Sequence, residues 1–369
     1  MNMECDVSIV GAGPAGTLLA YLLAKEGVRV TLVEQHTSIG KAFRGEILNE
    51  EGDRVLKDHG LLEMINSDAY LPLTRIEYWE RQEIIKQVLP SQSGGHFGIH
   101  VPQSELLHAV LDKAAEHRNF TLLAGVTVTE LLQNEDRRYT GLKARAKNGD
   151  TVMIRSAVTV GADGRYSAVR KRADIPAASR RHGYDLLWAL IPAPSGWEPV
   201  IRFAEVDRQQ LSLFTQAKGM IQIGWNIAEG SYPEWKRRSF EPFIARLTEA
   251  FPDLRGPVGT HIRSWSDFVL LDIFSSVSEA WAKDGLVLIG DAAHTMTPTG
   301  AFGVNSALKD ADVLYRELIG ALNANDVSAK RLGRFEQARR SDVNALQQQQ
   351  FTMESSFKLN FTAQPVIHG

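Results

Sequence analysis

Hydrophobic residues follow three different patterns along this chain. Short, mostly apolar runs end on glycine at Cys5 to Val10, at residues 157–160 ("AVTV") and at residues 286–289 ("LVLI"). Runs of that length, apolar on both faces and bounded by turn residues, predict buried parallel strands. After the first, Ala15 to Glu26 is built from helix formers and Gly27 sits where a helix C-terminal glycine belongs; Val28 to Val33 then reads as a second strand ending at Glu34. The last run ends in Gly290-Asp291, passes through a glycine-bearing loop and enters a helix near Val304. The second pattern is strict alternation, in residues 73–96 and about 179–262, for instance "SLFTQAKGMIQIGWNI" (212–227). It predicts an antiparallel sheet with one covered face. The third is a helical stretch from about residue 330, followed by a tail to 369.

The turn between the first strand and helix reads Gly11-Ala12-Gly13-Pro14-Ala15-Gly16. Gly11 permits the tight turn, Gly13 lets a pyrophosphate approach the backbone, and Gly16 lets the helix pack closely. The helix N-terminus offers free N–H groups to phosphate, and Glu34 can accept hydrogen bonds from ribose hydroxyls. Strand, helix, second strand and terminal Glu are in register, so this is a dinucleotide site.

Composition narrows the rest. The chain has 369 residues, 44% hydrophobic, a formal charge of -3 and a pI of about 6.4, a balance that excludes a nucleic-acid footprint. The basic run from Lys330 to Arg340 is interrupted by Glu336 and reads as a solvated helix face. Cys5 is the single cysteine, so no intramolecular disulfide or cysteine metal cluster forms. No signal peptide and no membrane-length apolar run are expected, and the chain reads as cytoplasmic. His96 and His100 are four apart, but Gly94, Gly95 and Gly98 spoil a helix there and nothing completes a zinc set, so no metal is expected.

The opening fingerprint, the segment "AVTVGADGRYSAVRKRA" (157–173) and "LVLIGDAAHTMTPTGAFGVNSALKDAD" (286–312) occur in the order found in the FAD-dependent aromatic hydroxylases, the single-component flavoprotein monooxygenases typified by para-hydroxybenzoate hydroxylase. The chain resembles that family. The resemblance implies an α/β fold: a discontinuous FAD-binding Rossmann-like domain of the glutathione-reductase type (1–72, 97–178 and 263–325), an inserted antiparallel β-sheet substrate domain (73–96 and 179–262), and a C-terminal helix and tail (326–369). Gly11, Gly13, Pro14, Ala15, Gly16, Glu34, Gln35 and Val126 would hold the ADP half of FAD. Arg44 and Gly45 would lie along the pyrophosphate, and Gln103 near the ribityl chain. Asp163 and Gly164 would touch both FAD and the nicotinamide nucleotide. Asp291 would bind the ribityl hydroxyls, and Pro298, Gly300, Gly303, Val304 and Asn305 would flank the isoalloxazine ring.

A helix start there would aim N–H donors and a positive dipole end at a reduced, anionic flavin. The resemblance further implies that NADH or NADPH binds transiently, since no second fingerprint exists, and that the flavin activates O₂ at C4a to hydroxylate an electron-rich ring carbon. No dedicated catalytic side chain emerges. His294 is the one acid–base candidate, and its place in the turn favours a structural role. The stretch "IGWNIAEG" (223–230) lacks the Trp-x-Trp-x-Ile-Pro of the tryptophan halogenases. An FAD-dependent oxidase or dehydrogenase, and a flavin-binding redox sensor without turnover, stay open as alternatives.

On the alternating segment, Trp188, Phe203, Phe214, Met220 and Trp225 are candidate substrate-lining residues, with Phe302 from the flavin loop. Where the benzoate hydroxylases have a serine–x–arginine pair, this chain has Thr215-Gln216-Ala217, so no arginine stands there to grip a carboxylate. Strand alternation would turn Lys218 away. Thr297 replaces a proline of the relatives, which predicts a looser flavin loop. These departures favour a phenolic or polycyclic aromatic substrate over a small benzoate. The chain is expected to work as a monomer or homodimer, with no nucleic-acid or membrane partner.

Overall fold

The structure is a computed structural model that describes residues 1–40, 45–90 and 95–361. Its first body is an eight-stranded sheet. The strands Leu286–Leu288, Thr151–Gly161, Asn2–Val10, Val30–Glu34 and Phe120–Ala124 lie side by side in that order, all parallel. Leu286–Leu288 and residues 30–33 are buried throughout, and Asn2–Val10 and Thr151–Gly161 become so toward their carboxyl ends, where helices cover the sheet. The helix Pro14–Lys25 is buried from Ala15 to Ala24. A helix apolar all round must be enclosed, and Phe302–Asn323 packs along its other side.

The second body is a seven-stranded sheet: Val269–Leu271, Tyr184–Pro192, Met220–Ala228, Gln209–Gln216, Val200–Val206, Arg75–Glu80 and Glu83–Val88. It is not antiparallel throughout, because Val200–Val206 and Arg75–Glu80 pair in parallel. Those strands come from separate chain segments, so no hairpin dictates their direction. The sheet also recruits Val269–Leu271, beyond residue 262. One face carries Leu187, Ile191, Leu213, Ile223 and Trp225, which pack on Phe243, Leu247 and Phe251 into a separate core under the helices Glu241–Ala250 and Arg255–His261. Each such side chain contributes roughly 1.5–3 kcal/mol by leaving water.

The helix Ala329–Ser356, capped by the Ser328 side chain, joins the two bodies. Near its start Phe335 packs on Trp281 of the first body, with ring centroids 5.6 Å apart. Beyond its end, the turn Phe357–Phe361 lies on the open face of the second sheet. There Phe357 meets Phe203 at 5.7 Å and Phe361 meets Tyr78 at 5.6 Å. No helix among the described residues is long and apolar enough to cross a membrane.

Candidate functional site

The parallel strands end at one level. Gly11 N–H donates to Val33 O (2.8 Å), Ala162 N–H to Val10 O (2.8 Å) and Ile289 N–H to Gly161 O (2.9 Å). The loops after them are therefore neighbours at the carboxyl edge of the sheet, where open α/β sheets bind their ligands. Gly290 fixes the third loop: a Cβ there would lie 3.3 Å from Ala15 Cβ and 3.7 Å from Ala307 Cβ. The Asp291 turn thus sits between the starts of Pro14–Lys25 and Phe302–Asn323, although nearly three hundred residues separate the two ends of this arrangement in sequence.

The fingerprint glycines do different jobs. Gly11 has φ +104° and a Cβ on it would fall 2.4 Å from Ala162 O; one on Gly16 would fall 2.0 Å from Gly11 O. Both positions are closed by backbone. A Cβ on Gly13 would meet nothing within 4 Å, and the helix that starts at Pro14 has no side-chain cap. That leaves open space against unclaimed N–H groups, which fits a pyrophosphate. Glu34 accepts from Ala12 N–H (2.9 Å) and His36 N–H (2.8 Å), one on each oxygen, so its carboxylate is aimed and retains lone pairs for hydroxyl donors. Gln35 is exposed and meets the His36 ring at 3.3 Å. Val126 is buried beside Gly125, whose N–H donates to His36 O (3.1 Å).

Gly45 begins the strand Gly45–Leu48, which pairs with Ile99–Pro102; Arg44 lies outside the described residues. Gln103 is buried at the start of the next helix and its amide donates to Glu46. Asp163 spends its carboxylate on its own loop, accepting from Ser167 O–H (2.5 Å), Ala168 N–H (2.6 Å) and Val169 N–H (3.0 Å). This caps the short helix Ala168–Arg172. Gly164, at φ +81°, faces open space.

The Asp291 side chain is 26% exposed, and Arg165 Nε stands 3.4 Å from it. At that distance the pair attracts without a well-formed hydrogen bond, and Arg165 Nε has no other partner among the described residues. Deeper, Asp310 organises the whole turn: it accepts from Gly290 N–H (2.9 Å) and Arg339 Nε (2.9 Å), and His294 Nε2 lies 2.6 Å away. Burial alone would raise the Asp310 carboxyl, but His294 and Arg339 outweigh it and hold it below the usual range. His294 is 1% exposed and lies on Trp281, with centroids 4.9 Å apart. It is built into the wall of the turn.

The flavin loop is held firmly, against the expectation from its missing proline. The Gln350 amide donates to Thr297 O and Thr299 O, each at 2.7 Å. Glu354 accepts from the hydroxyls of Thr297 (2.7 Å), Thr299 (2.7 Å) and Tyr184 (2.9 Å), and its other oxygen meets His182 at 2.5 Å. Burial works against the Glu354 charge, yet His182 and the two threonines keep its carboxyl below the usual range. The same burial drives the Tyr184 phenol well above its usual value. These partners come from a helix fifty residues downstream and from a separate strand, and nothing local in the sequence marks them. After Pro298, Gly300 (φ +73°) and Ala301 (φ +56°) are both left-handed, and they redirect the chain into Phe302–Asn323, which also starts without a side-chain cap. A Cβ on Gly303 would come no closer than 4.0 Å to Met296 Cβ, and Val304 is buried. Asn305 donates to Ile47 O (2.9 Å) and Ala301 O (2.8 Å) and accepts from Asn49 N–H (3.0 Å), tying the helix start to the Gly45–Leu48 strand.

On the second sheet, parity sorts the aromatic candidates. Trp188, Phe203, Phe214 and Met220 alternate with the residues of the helix-covered core and so share the open face. Trp225 does not. It has the parity of Ile223 and Ile227, is 1% exposed, and stacks on Phe243 at 4.1 Å, so it is core and not pocket. Phe302 folds its ring over Gly300 and packs against the first body. Thr215 faces the covered side, where its hydroxyl takes Trp197 Nε1–H (3.0 Å). Lys218 lies in a turn at φ +60° and pairs with Glu105.

Similarity to known proteins agrees with this geometry. A family model described as FAD binding domain matches residues 4–350. The chain is 33% identical over 341 residues to the 6-methylpretetramide 4-monooxygenase of Streptomyces rimosus, covering 92% of this chain and 81% of that protein. It is 30% identical over 322 residues to a 2-heptyl-3-hydroxy-4(1H)-quinolone synthase of Pseudomonas aeruginosa, covering 84% and 80%. The crystal structure of P. aeruginosa PqsL in complex with 2-aminobenzoylacetate superposes with a TM-score of 0.82 at 21% identity, covering 96% of both chains. With its strand-end loops gathered as a dinucleotide site requires and a family match across nearly its whole length, this chain belongs to the FAD-binding family of class A aromatic hydroxylases and is an FAD-dependent monooxygenase.

Proposed function

We propose that this monooxygenase hydroxylates a phenolic or polycyclic aromatic compound seated on the open face of the seven-stranded sheet, with NADH or NADPH as a transient reductant. The observation that carries the reading is the character of that face. Phe203 lies 5.5 Å from Tyr78 and 6.1 Å from Phe214, with Phe357 of the C-terminal turn packed against it at 5.7 Å, an apolar, aromatic wall for a flat ring system. Arg202, beside Phe203 on the strand Val200–Val206, points to the covered side and is held by Glu77 at 3.0 Å. It is not available to a substrate carboxylate. The curated relatives are named for 6-methylpretetramide and for a quinolone, and neither name is that of a simple benzoate.

In this reading Gly13 and the uncapped start of Pro14–Lys25 receive the pyrophosphate, and Glu34 the adenosine ribose. Asp291 holds the ribityl chain, kept in place through Gly290 by Asp310. The uncapped start of Phe302–Asn323 faces the flavin ring, where its N–H groups and dipole favour negative charge. Bound FAD supplies the oxygen chemistry. The protein's part is to position both partners and keep water out, and the Gln350–Glu354 grip on Thr297 and Thr299 keeps the loop from shifting.

The test is consumption of NADH and NADPH by the FAD-loaded enzyme with and without phenolic and polycyclic aromatics, following ¹⁸O from O₂ into product. Incorporation into a polycyclic phenol supports the proposal. Reduction of the flavin without ¹⁸O in any product points to an oxidase or dehydrogenase, and preferential turnover of benzoates refutes the substrate class.

A further inference from the structure

Two buried donors of the open face, Trp188 Nε1 and Gln222 Nε2, and a third on the adjoining strand Ile99–Pro102, His100 Nε2, have no hydrogen-bond partner among the described residues. His100 is 2% exposed and its Nδ1 accepts from Ala217 N–H at 3.0 Å. Burial lowers its pKa to about 4, so the ring is neutral and its single proton is on Nε2. Gln222 is 5% exposed, and its Oε1 is taken by the Gln216 amide, which leaves the NH₂ as the free end. An interior donor without an acceptor costs stability, and such groups call for an explanation.

Their placement is ordered. Trp188 pairs across the sheet with Gly224, and Gln222 lies two residues from Gly224 on the same face. A Cβ on Gly224 would stand 3.5 Å from Trp188 Nε1, so the glycine keeps the face clear beside the indole N–H. Gln216, which orients Gln222, is followed by Ala217, which orients His100. His100 in turn pairs with Ile47, whose carbonyl takes Asn305 Nδ2 at the start of Phe302–Asn323. The donors therefore run in a row from the flavin side outward across the sheet.

We propose that His100, Gln222 and Trp188 form a row of neutral donors that binds ketone and phenolic oxygens along one edge of the aromatic substrate. This rests on the placement of substrate on the open face. Three neutral N–H groups suit polarised but uncharged oxygens, which they satisfy without a guanidinium; a free carboxylate would bring a full charge to donors that carry none. A ligand lacking the oxygens leaves all three donors unpaired, which is how a polar site discriminates strongly.

The experiment uses FAD-loaded enzyme and two probes of the same ring skeleton. One is 1,8-dihydroxyanthraquinone, with three oxygens on one edge; the other is anthracene-2-carboxylate, with none there. Dissociation constants are read from protein fluorescence and ligand absorbance. The wild type is expected to bind the quinone at least about tenfold more tightly than the carboxylate. Trp188→Phe keeps the ring and Gln222→Met keeps the volume; each is expected to weaken the quinone by about tenfold, the scale of one lost hydrogen bond. Neither should change carboxylate binding, FAD content or melting temperature. Equal affinity for the two probes, or equal weakening of both in the variants, overturns the donor row while leaving the open-face site standing. Failure of the wild type to bind either probe overturns the open-face placement and the donor row with it.

Discussion

In the proposed reading, the two halves of this enzyme recognise their ligands in opposite ways. At the ends of the parallel strands the working groups are backbone: glycines shaped by close approach and helix starts without side-chain caps. On the seven-stranded sheet they are side chains, and what matters is which face each one takes. A phosphate-bearing cofactor with fixed geometry can be met by main-chain N–H groups, which any sequence carries once the glycines permit the turn. An aromatic substrate needs specific donors and surfaces, and parity decides whether a given residue supplies them.

The sharpest way to break this comparison lies within the fingerprint. Gly11→Ala sets a Cβ 2.4 Å from a backbone carbonyl at φ +104°, so loss of folded, FAD-bearing protein is expected. Gly13→Ala meets nothing within 4 Å; its melting temperature should hold while FAD retention drops about tenfold, read by equilibrium dialysis. If both behave alike, the division between closed and open positions is wrong.

Next in size is the buried Asp310 network, the side-chain anchor of an otherwise backbone site. Asp310→Ala strands Arg339 and His294 and frees Gly290 N–H, a loss of about 3–5 kcal/mol in thermal or denaturant unfolding. Trp225→Ala is expected to cost about 3–5 kcal/mol, because Trp225 fills the covered core; Trp188→Phe, on the open face, should change stability by less than about 1 kcal/mol. Comparable losses from the two would mean that the faces have been assigned the wrong way round.

The smallest effects concern pH. The Asp310 and Glu354 carboxyls are held below their ordinary values of 3.8 and 4.5, so their contribution is complete above those values and fades as pH falls through them. His100 acts in the same direction by the opposite route. Its pKa is lowered from 6.5 to about 4; the unfolded chain takes up the proton first, and stability declines as pH falls between those two values. Melting curves of His100→Asn should be flatter than wild type between pH 6.5 and 4, and those of Glu354→Gln flatter only below about pH 4.5.

Much of the first half could be read along the chain because its determinants are local. Strand, glycine turn, helix and Glu34 lie within one supersecondary unit, and each glycine's need follows from the turn itself. The alternation in residues 212–227 likewise predicts a sheet with one covered face, and it separates Trp225 from Phe214 once the covered face is known. It cannot say which face that is, since period-two alternation is symmetric until the helices Glu241–Ala250 and Arg255–His261 settle on one side. The parallel seam between Val200–Val206 and Arg75–Glu80 joins distant segments and leaves no local mark.

By itself, then, the sequence determined the nucleotide-binding turn, the order of strands and helices and the presence of a half-covered sheet, because propensity, glycine geometry and periodicity act over a few residues. Tertiary structure alone decided the rest. It gave Thr297 and Thr299 to Gln350 and Glu354 where the missing proline predicts a loose loop, and His294 to Asp310 and Arg339. It also left His100, Gln222 and Trp188 with protons and no acceptor among the described residues. Those outcomes depend on which groups are brought together across dozens to hundreds of residues, and a hydrogen bond is specified by position in space, not by separation along the chain.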